Sequence, residues 1–500
     1  MNRRQFLDGL AKVVVAAGCF PVAAVRAALS SVASAIPLRS GSINELRAAI
    51  TSSEGTIFVP GNQPADIFKV FNSRITTVPQ VLVRCKTPDA ISKSLQWAQR
   101  FGVPLRARSG GHSYEGLSLV DGMVIDVQEQ NRISIDTEAK VAGIGAGARL
   151  SDINAQLFTK KLGLSAGSCP RVGIAGLTLG GGHGLSSRKL GLTCDNLRSL
   201  KMIDASGNLL QASANEHPDL FWASRGGGGG NFGIVTEFEF DVHPVNNVLV
   251  FYLEWKPVMT ARVLAPWQEI APVAPDELTC HLTIDIGKTG IQALHCGGQL
   301  LPKSPGETPS VADLNRMLSP LLAIPHTSYT PIPRTFLVAA EHFYGKDPKQ
   351  IYFKAKSDYA DQPLGAAQLA DMVKRLNQPK WPSGSQGAVS VIFEAYGGAI
   401  GRVASDATAF PHRKQTLYCA QYYAEWSAAE QTSNRLKQLN YVYESIHPNF
   451  SGYAYVNYAD LDLEDWQRAY YRENLTRLRQ VKSTYDPTNV FNSPQSIPPA

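Results

Sequence analysis

The sequence predicts an α+β protein with two domains. Its 500 residues are too many for one simple hydrophobic core, and 44% of them are hydrophobic, as in ordinary globular proteins. In the first half, short apolar strands alternate with amphipathic helices. From about residue 246 onward, longer strands with alternating apolar and polar residues recur. This change in pattern places the domain boundary near Pro244.

In the first domain we expect strands and helices to follow one another closely. Thr87-Pro-Asp89 is a helix start signal, so a helix is predicted over 89–101, and a second over 148–162. Residues 234–242 alternate between apolar and polar side chains, which indicates a half-buried strand. Further strands are predicted at 81–84, 105–108, 123–127, 139–146 and 200–204.

In the second domain the strands are predicted at 248–255, 278–286, 291–299, 387–395 and 417–426. Helical stretches lie between them, and 302–309 is a loop. Such a pattern is typical of an antiparallel sheet backed by helices, with one face inward and one outward.

The N-terminus begins Met-Asn-Arg-Arg-Gln-Phe-Leu and continues with a mildly apolar stretch and small residues. We interpret residues 1–35 as a twin-arginine export signal that ends at Ala33-Ser-Ala35, with Val25-Arg-Ala27 as a second possible cleavage site. The alternative is a cytoplasmic amphipathic start. Export by this route carries folded proteins, so a cofactor can be inserted beforehand.

Charge and hydropathy argue against two classes of partner. The net charge is +6, but Arg3, Arg4, Lys12 and Arg26 against Asp8 supply +3 of it. No run of lysine and arginine marks a nucleic-acid surface. After the first thirty residues no apolar run is long enough to span a membrane.

Two glycine-dense segments each carry one nucleophile. Arg-Ala-Arg-Ser-Gly-Gly-His-Ser-Tyr at 106–114 contains His112, and Gly-Ser-Cys-Pro-Arg-Val-Gly-Ile-Ala-Gly-Leu-Thr-Leu-Gly-Gly-Gly-His-Gly at 167–184 contains Cys169. Glycines let backbone N–H groups approach an anionic ligand closely. An imidazole and a thiol beside one cofactor can each bond to it. We expect backbone N–H groups around Cys169 to lower its pKa.

Two further motifs complete the pattern. One is Leu-Phe-Trp-Ala-Ser-Arg followed by five glycines and Asn-Phe-Gly-Ile-Val at 220–235. The other is the C-terminal series Tyr-Val-Asn-Tyr at 455–458, Tyr-Asp-Pro-Thr-Asn-Val-Phe at 485–491 and Pro-Gln-Ser-Ile-Pro-Pro at 494–499. In this order, from about residue 70 to the end, the motifs resemble the berberine-bridge-enzyme-like branch of the vanillyl-alcohol-oxidase (PCMH) flavoproteins.

The resemblance implies a PCMH-type FAD-binding domain of two mixed α/β subdomains at 36–245. It also implies a substrate-binding domain at 246–450, and a segment at 451–500 that completes the FAD domain. In this branch a His is joined to the 8α-methyl of FAD and a Cys to C6, which here are His112 and Cys169. The other implied cofactor-binding residues are Arg108, Ser109, Gly110, Gly111, Ser113, Ser168, Val172, Gly173, Gly176, Gly180, Gly181, Gly182, Gly233, Ile234, Val235, Tyr455 and Asn457.

The resemblance also assigns catalytic roles. Tyr458 is the expected base that takes the hydroxyl proton while hydride leaves for flavin N5. A tyrosine with a pKa of about 10 needs activation for this role. Tyr114 and Gln421 match positions that line the catalytic site. The segment around Gln421 lacks the acidic residue that some relatives carry, so the helper of Tyr458 stays open. Val172 is expected to face the flavin C4a region and to permit reaction with oxygen.

The implied function is that of an exported oxidase. It would oxidise an alcohol, either a saccharide anomeric hydroxyl or a secondary-metabolite alcohol, and reduce O₂ to H₂O₂. A dehydrogenase with another acceptor and a non-catalytic flavin carrier are the alternatives. Four aromatic residues, Trp255, Tyr396, Tyr423 and Trp426, either form sugar-stacking walls or belong to the core. No H-x-x-x-H or C-x-x-C spacing occurs, so no metal site is predicted.

Six cysteines remain when Cys169 is assigned to flavin. Cys19 leaves with the export signal, and Cys85, Cys194 and Cys419 are expected to be buried thiols. Cys280 and Cys296 flank a hairpin-type turn at 286–290. We expect both to be free, with a disulfide as the alternative that an exported protein permits.

Overall fold

Three sheets of four or more strands and one short two-stranded ladder organise the chain in the computed structural model, which describes residues 40–61, 65–342 and 349–500. The predicted export signal and Cys19 lie outside the described residues. The strands are β1 (Gly55–Phe58), β2 (Val81–Cys85), β3 (Leu105–Arg108), β4 (Met123–Asp126), β5 (Ile133–Asp136), β6 (Val141–Gly145), β7 (Leu162–Gly163), β8 (Leu197–Ile203), β9 (Leu209–Ser213), β10 (Ile234–Asp241), β11 (His243–Pro244), β12 (Asn247–Trp255), β13 (Leu278–Gly287), β14 (Gly290–Leu300), β15 (Ser328–Thr335), β16 (Tyr352–Ala360), β17 (Val389–Ala395) and β18 (Tyr418–Trp426).

The helices are mostly short and connect or cover these strands. The side chain of Thr87 caps the second helix by accepting a hydrogen bond from the Ala90 N–H, as its start signal predicts. The helices are α1 (Ser40–Ala49), α2 (Pro88–Arg100), α3 (Leu150–Phe158), α4 (Ile174–Leu179), α5 (Ser187–Leu190), α6 (Pro218–Ala223), α7 (Thr260–Ile270), α8 (Val311–Met317), α9 (Ser319–Leu322), α10 (Phe336–His342), α11 (Ala366–Leu376), α12 (Gly398–Arg402), α13 (Thr432–Ile446), α14 (Trp466–Tyr471) and α15 (Leu475–Tyr485).

The first part of the chain contains two mixed α/β layers. One sheet has the order β1-β2-β4-β3 with parallel pairing of β4 to β2 and β3, and the other has the order β5-β6-β10-β8-β9 and is antiparallel. Both contribute to one hydrophobic core. Leu478, Phe491 and Ile497 of the C-terminal segment pack into that same core. The α+β class and the two-part architecture of this region are therefore confirmed.

The second part is built on a seven-stranded sheet of order β15-β12-β14-β13-β17-β18-β16, and every pair in it is antiparallel. Trp267 of α7, Leu369 of α11 and Leu439 of α13 pack on one face of the sheet and form a second core. That face carries Val391 and Phe393, so the side chains that alternate with them point to the opposite face.

Several predicted elements differ from the structure. The helix expected over 148–162 ends at Phe158, because the chain turns through Lys161 (φ 54°) into β7. The strand β15 was not predicted, because Pro331 and Pro333 interrupt its alternating pattern. Prolines are tolerated there because β15 is an edge strand. The strands β5 and β16 were not predicted either. In β16 the charged residues Lys354 and Lys356 conceal the strand, although both side chains are buried. These lysines are paired with Glu115, Asp460 and Asp462.

In the part of the chain that the structure describes, the cysteines outside the glycine motifs are free. Cys85, Cys194 and Cys419 are buried thiols, as predicted. Cys280 on β13 and Cys296 on β14 are also free and buried, and their side chains are hydrogen-bonded to each other. Within the described ranges, none of the helices combines the length and the apolar character needed to cross a membrane.

Candidate active site

A cavity of about 1010 Å³ lies where the two parts of the chain meet. Its size is at the upper end of the ~300–1,000 Å³ typical of small-molecule sites. The wall combines the two glycine-dense segments with strands of the seven-stranded sheet. It is formed by segments within 105–118, 167–179, 228–235, 349–353, 421–427, 455–459 and 491–495, together with Phe71, Val127, His183, Ile392, Tyr470 and Tyr471.

Most predicted cofactor-binding residues line this cavity. They are Arg108, Ser109, Gly110, Gly111, His112, Ser113, Ser168, Cys169, Val172, Gly173, Gly176, Gly233, Ile234, Val235, Tyr455 and Asn457. Arg108 is buried and ion-paired with Asp126 at 2.7 Å, and its Nη1 has no hydrogen-bond partner. An unpaired buried guanidinium nitrogen in the wall fits an anionic cofactor.

Three predicted glycines lie behind the wall instead. A Cβ on Gly180 would lie 2.1 Å from Asn457 Oδ1, and one on Gly182 would lie 2.2 Å from Thr193 Oγ1. Gly181 packs against Phe410 in the same way. These three glycines therefore allow close packing between protein segments, and they are not among the residues that line the cavity. Their contact with a cofactor stays a prediction. The glycines at 228–230, which belong to the five-glycine run, line the cavity.

His112 and Cys169 lie side by side in this wall. The Cys169 Sγ is 3.6 Å from His112 Nε2, and the imidazole stacks on Phe71 with ring centroids 3.9 Å apart. Burial, together with the charge of Arg171, lowers the pKa of His112 to about 4. The imidazole is therefore neutral at physiological pH and keeps a lone pair for bond formation.

The pKa of Cys169 departs from the expectation. Backbone N–H groups of Arg171 and Val172 do lower it, but burial outweighs them and raises the pKa of the thiol overall. The cause is desolvation of the thiolate in a partly enclosed wall. The backbone N–H donors near Cys169 can be predicted from the sequence. The burial of its thiol cannot, because it depends on how the loops pack together.

The three predicted catalytic residues meet at one place. Gln421 of β18 donates from Nε2 to the Tyr114 hydroxyl at 3.2 Å. The rings of Tyr114 and Tyr458 stack, with centroids 5.4 Å apart and an interplanar angle of 15°. All three line the cavity, and Tyr114 is only two residues from His112.

Glu394 was missed by the sequence analysis. It lies on β17, is 6% exposed, and accepts hydrogen bonds from the Tyr458 hydroxyl on both carboxylate oxygens, at 3.0 and 3.1 Å. Burial raises the pKa of Glu394 to about 7, against the hydrogen bond from Tyr458. The strand register pairs Ile392 with Gln421, so Glu394 lies on the same face one step further along β17. The acidic group that accepts the Tyr458 hydrogen bonds therefore lies on β17, the strand next to the one that carries Gln421.

The other two residues of the Tyr-x-Asn-Tyr motif hold the wall together. The Tyr455 hydroxyl accepts hydrogen bonds from the N–H groups of Gly182 and His183, at 3.0 and 3.1 Å. Asn457 donates from Nδ2 to the Leu177 carbonyl and to the Tyr455 hydroxyl, both at 3.0 Å. These bonds fix the C-terminal segment on the glycine-rich segment and thereby position Tyr458.

The four aromatic residues proposed as walls lie in different surroundings. Tyr423 lines the cavity, whereas Trp255 and Tyr396 are buried in the cores. Trp426 borders the cavity but is itself buried in the second core. The structure also brings together three groups with metal-binding side chains, His183, His281 and Glu394, whose ligand atoms all lie within 4.8 Å of one another. The sequence had predicted no such cluster, because the three residues come from segments far apart in the chain.

Comparison with known proteins identifies the family. Residues 79–213 match the FAD binding domain model, and residues 454–498 match the berberine and berberine-like model. The FAD-linked oxidoreductase YgaK of Bacillus subtilis (strain 168) is 36% identical over 438 residues, which are 86% of this chain and 93% of its own. The structure of Physcomitrella patens BBE-like 1 aligns with a TM-score of 0.80 at 30% identity, covering 91% of this chain and 99% of that one. That of chitooligosaccharide oxidase aligns with a TM-score of 0.81 at 25% identity, with the same coverage. The chain therefore belongs to the berberine-bridge-enzyme-like family of FAD-linked oxidoreductases within the PCMH superfamily.

Proposed function

We propose that this protein oxidises an alcohol group of a small molecule, with the anomeric hydroxyl of a saccharide as the leading candidate, and reduces O₂ to H₂O₂. The observation that carries the proposal is the pair of hydrogen bonds from Tyr458 to Glu394 in the wall of the cavity. A phenol alone is a poor base near neutral pH. A phenol already bonded to a buried carboxylate can pass on its proton as it takes another.

The proton path follows from these contacts. The substrate hydroxyl gives its proton to Tyr458, whose own proton moves to Glu394. Gln421 orients the hydroxyl of Tyr114, and the Tyr114 ring stacks on Tyr458, so both restrict the position of the base. FAD, when bound, supplies the acceptor for the hydride and the source of two electrons for O₂. The carbon loses a hydride and its hydroxyl oxygen loses a proton, which converts the alcohol to a carbonyl.

We propose further that FAD is attached covalently at both His112 and Cys169. Support comes from their 3.6 Å separation in one wall and from the neutral imidazole of His112. The glycines of the two segments leave backbone groups free to approach the cofactor. Two bonds would fix the position of the ring and leave the substrate side of the cavity open.

The saccharide proposal rests on the aromatic part of the wall. Tyr423 lies near Phe353 with ring centroids 5.7 Å apart, and both residues line the cavity. Aromatic faces and hydroxyl groups together suit the mixed apolar and polar surface of a sugar. The name of chitooligosaccharide oxidase, to which this chain is similar, states that it acts on an oligosaccharide.

Two further parts of the proposal concern oxygen and location. Val172 lines the cavity three residues after Cys169, and a small side chain there leaves a path for O₂. We propose that the protein is exported through its twin-arginine N-terminus. Export before or after flavin insertion is testable by comparing flavin content in the exported and retained fractions.

The test is a panel of sugars and alcohols added to the purified flavoprotein under anaerobic conditions. The expected result is bleaching of the flavin by at least one saccharide, followed on admission of air by rapid reoxidation and one H₂O₂ per flavin. Reduction by substrate with slow reoxidation would instead indicate a dehydrogenase with another acceptor. Failure of every alcohol and sugar to bleach the flavin would contradict the proposal.

A further inference from the structure

We propose that His183, His281 and Glu394 form a binding site for a divalent transition-metal ion of the Zn²⁺ class, next to Tyr458 and separate from the cofactor's attachment points. The ligand atoms of the three side chains lie within 4.8 Å of one another. Two imidazoles and one carboxylate are a known zinc ligand set, with metal–ligand distances of about 2.0–2.2 Å. Closing around an ion at such distances requires each side chain to move by less than about 1 Å.

His183 is already oriented as a metal ligand. It is 8% exposed, and its Nε2 is buried without a hydrogen-bond partner. The ring donates a hydrogen bond to the backbone of Ala395, which must come from Nδ1 because Nε2 has no partner. This leaves the lone pair on Nε2. Histidine ligands in metal sites are held in the same way, by a hydrogen bond from the other nitrogen to a carbonyl.

His281 supplies a second lone pair from the sheet. It is the direct cross-strand neighbour of Glu394, since β13 and β17 pair His281 with Glu394. Its ring stacks with that of His183 at a centroid distance of 5.8 Å, and its Nε2 is also buried without a partner. Both histidines thus present a buried ring nitrogen without a hydrogen-bond partner to the same small space.

Glu394 gives the site its charge. When ionised, this buried carboxylate has a hydrogen bond from Tyr458 but, in the described part of the chain, no ion pair. A buried charge without a counter-charge is unfavourable, and a divalent cation would balance it. Two imidazole nitrogens without hydrogen-bond partners thus lie beside a carboxylate without a counter-charge. Together the three groups can act as ligands of one metal ion.

Metal binding has a consequence for turnover that rests on the proposed function. An ion bound to Glu394 takes one of the two oxygens that accept the Tyr458 hydrogen bonds, and its charge makes the carboxylate a weaker base. Tyr458 then has a weaker acceptor for its proton, so substrate-dependent flavin reduction should slow. Zn²⁺ bound at this site would therefore inhibit flavin reduction, and the inhibition would not be competitive with the saccharide.

The experiment measures metal binding directly on the flavin-containing full chain. The protein is treated with a chelator, desalted, and titrated with Zn²⁺ by calorimetry, and the bound zinc is counted by mass spectrometry after gel filtration. We expect one Zn²⁺ per chain. His281→Gln should weaken binding by at least about 100-fold, since even second-shell changes cost 10–100-fold. His295→Gln is the matched control, because His295 lies on β14 of the same sheet and outside the cluster.

The result that overturns the proposal is equal Zn²⁺ binding by wild type, His281→Gln and Glu394→Gln, or no stoichiometric binding by wild type. If His281→Gln loses flavin or stability, His281→Asn and Glu394→Gln provide the same comparison. Binding is measured without turnover, so it is independent of whether the protein oxidises a sugar. Stoichiometric binding that leaves flavin reduction unchanged would support the metal site and contradict the role of Glu394 as proton acceptor.

Discussion

Gly110 and Gly173 are in direct backbone contact. A Cβ on Gly173 would lie 2.4 Å from the Gly110 nitrogen, and one on Gly110 would lie 2.3 Å from the Gly173 nitrogen. His112 follows the first glycine by two residues, and Cys169 precedes the second by four. The contact of the two glycines is therefore what brings the imidazole and the thiol within 3.6 Å.

Gly173→Ala should separate these two loops. A methyl group at that distance from backbone atoms cannot be accommodated by moving a flexible side chain. We expect covalently bound flavin to fall well below one per chain, measured from the absorbance that remains after acid precipitation. Gly401→Ala is the control, because a Cβ there would lie 3.7 Å from Lys414, an ordinary contact. Full flavin content in Gly173→Ala would show that the loops are not coupled through this contact.

Attachment at both residues predicts a graded loss of covalent flavin. His112→Ala and Cys169→Ala should each leave flavin bound through the other residue, because the two bonds form to different positions of the ring. The double variant should release all its flavin on denaturation. In-gel fluorescence after denaturing electrophoresis measures this. Complete release of flavin from the wild type on acid precipitation would exclude covalent attachment.

Val172→Leu tests the oxygen path. The residue lines the cavity and is only partly buried, so a larger side chain extends into the open space. We expect slower reoxidation of the reduced flavin by air, with anaerobic reduction by substrate nearly unchanged. Stopped-flow absorbance resolves the two half-reactions. A similar change in both would mean that Val172 contributes to packing.

Arg188 joins the two parts of the chain. Its guanidinium, which is fully buried, donates hydrogen bonds to the carbonyls of Pro272, Ala274, Leu278 and Tyr396. Arg188→Met should lower the free energy of unfolding by at least about 3 kcal/mol, because buried carbonyls lose a charged donor. Calorimetry should show a lower Tm. Arg316→Met, at an exposed ion pair on α8, should leave Tm nearly unchanged.

Local sequence patterns predicted those parts of the molecule that depend on short stretches of chain. The Thr87 cap and the alternation in β10 and β13 are local, and both were predicted. The glycine motifs also located His112 and Cys169, because each motif is continuous in the sequence.

Contacts between segments that are far apart in the sequence could not be predicted from local patterns. Glu394 lies within a strand whose pattern gives no sign of catalysis, and it meets Tyr458 only through the register of β17 and β18 and the C-terminal motif. Likewise Gly182 belongs to a glycine motif that predicts a cofactor-binding loop, but in the structure Thr193 fills the space beside it. The pKa of Cys169 is decided by burial, which depends on the assembled walls.

The base is tested by Tyr458→Phe, which keeps the ring that stacks on Tyr114 and removes only the hydroxyl. A positioned general base is worth about 10² to 10⁴ in rate, so anaerobic flavin reduction should slow by that factor while flavin content is unchanged. Gln421→Ala, which removes only the donor to Tyr114, should have a smaller effect.

Glu394→Gln removes the proton acceptor and keeps the shape of the side chain, and it should slow the same step. Because the two residues act as one relay, the Tyr458→Phe/Glu394→Gln double variant should be no slower than the slower single variant. Additive losses would mean that Glu394 acts independently of Tyr458. Near wild-type reduction by Tyr458→Phe would exclude Tyr458 as the base, and Tyr114, whose hydroxyl accepts from Gln421, would be tested next.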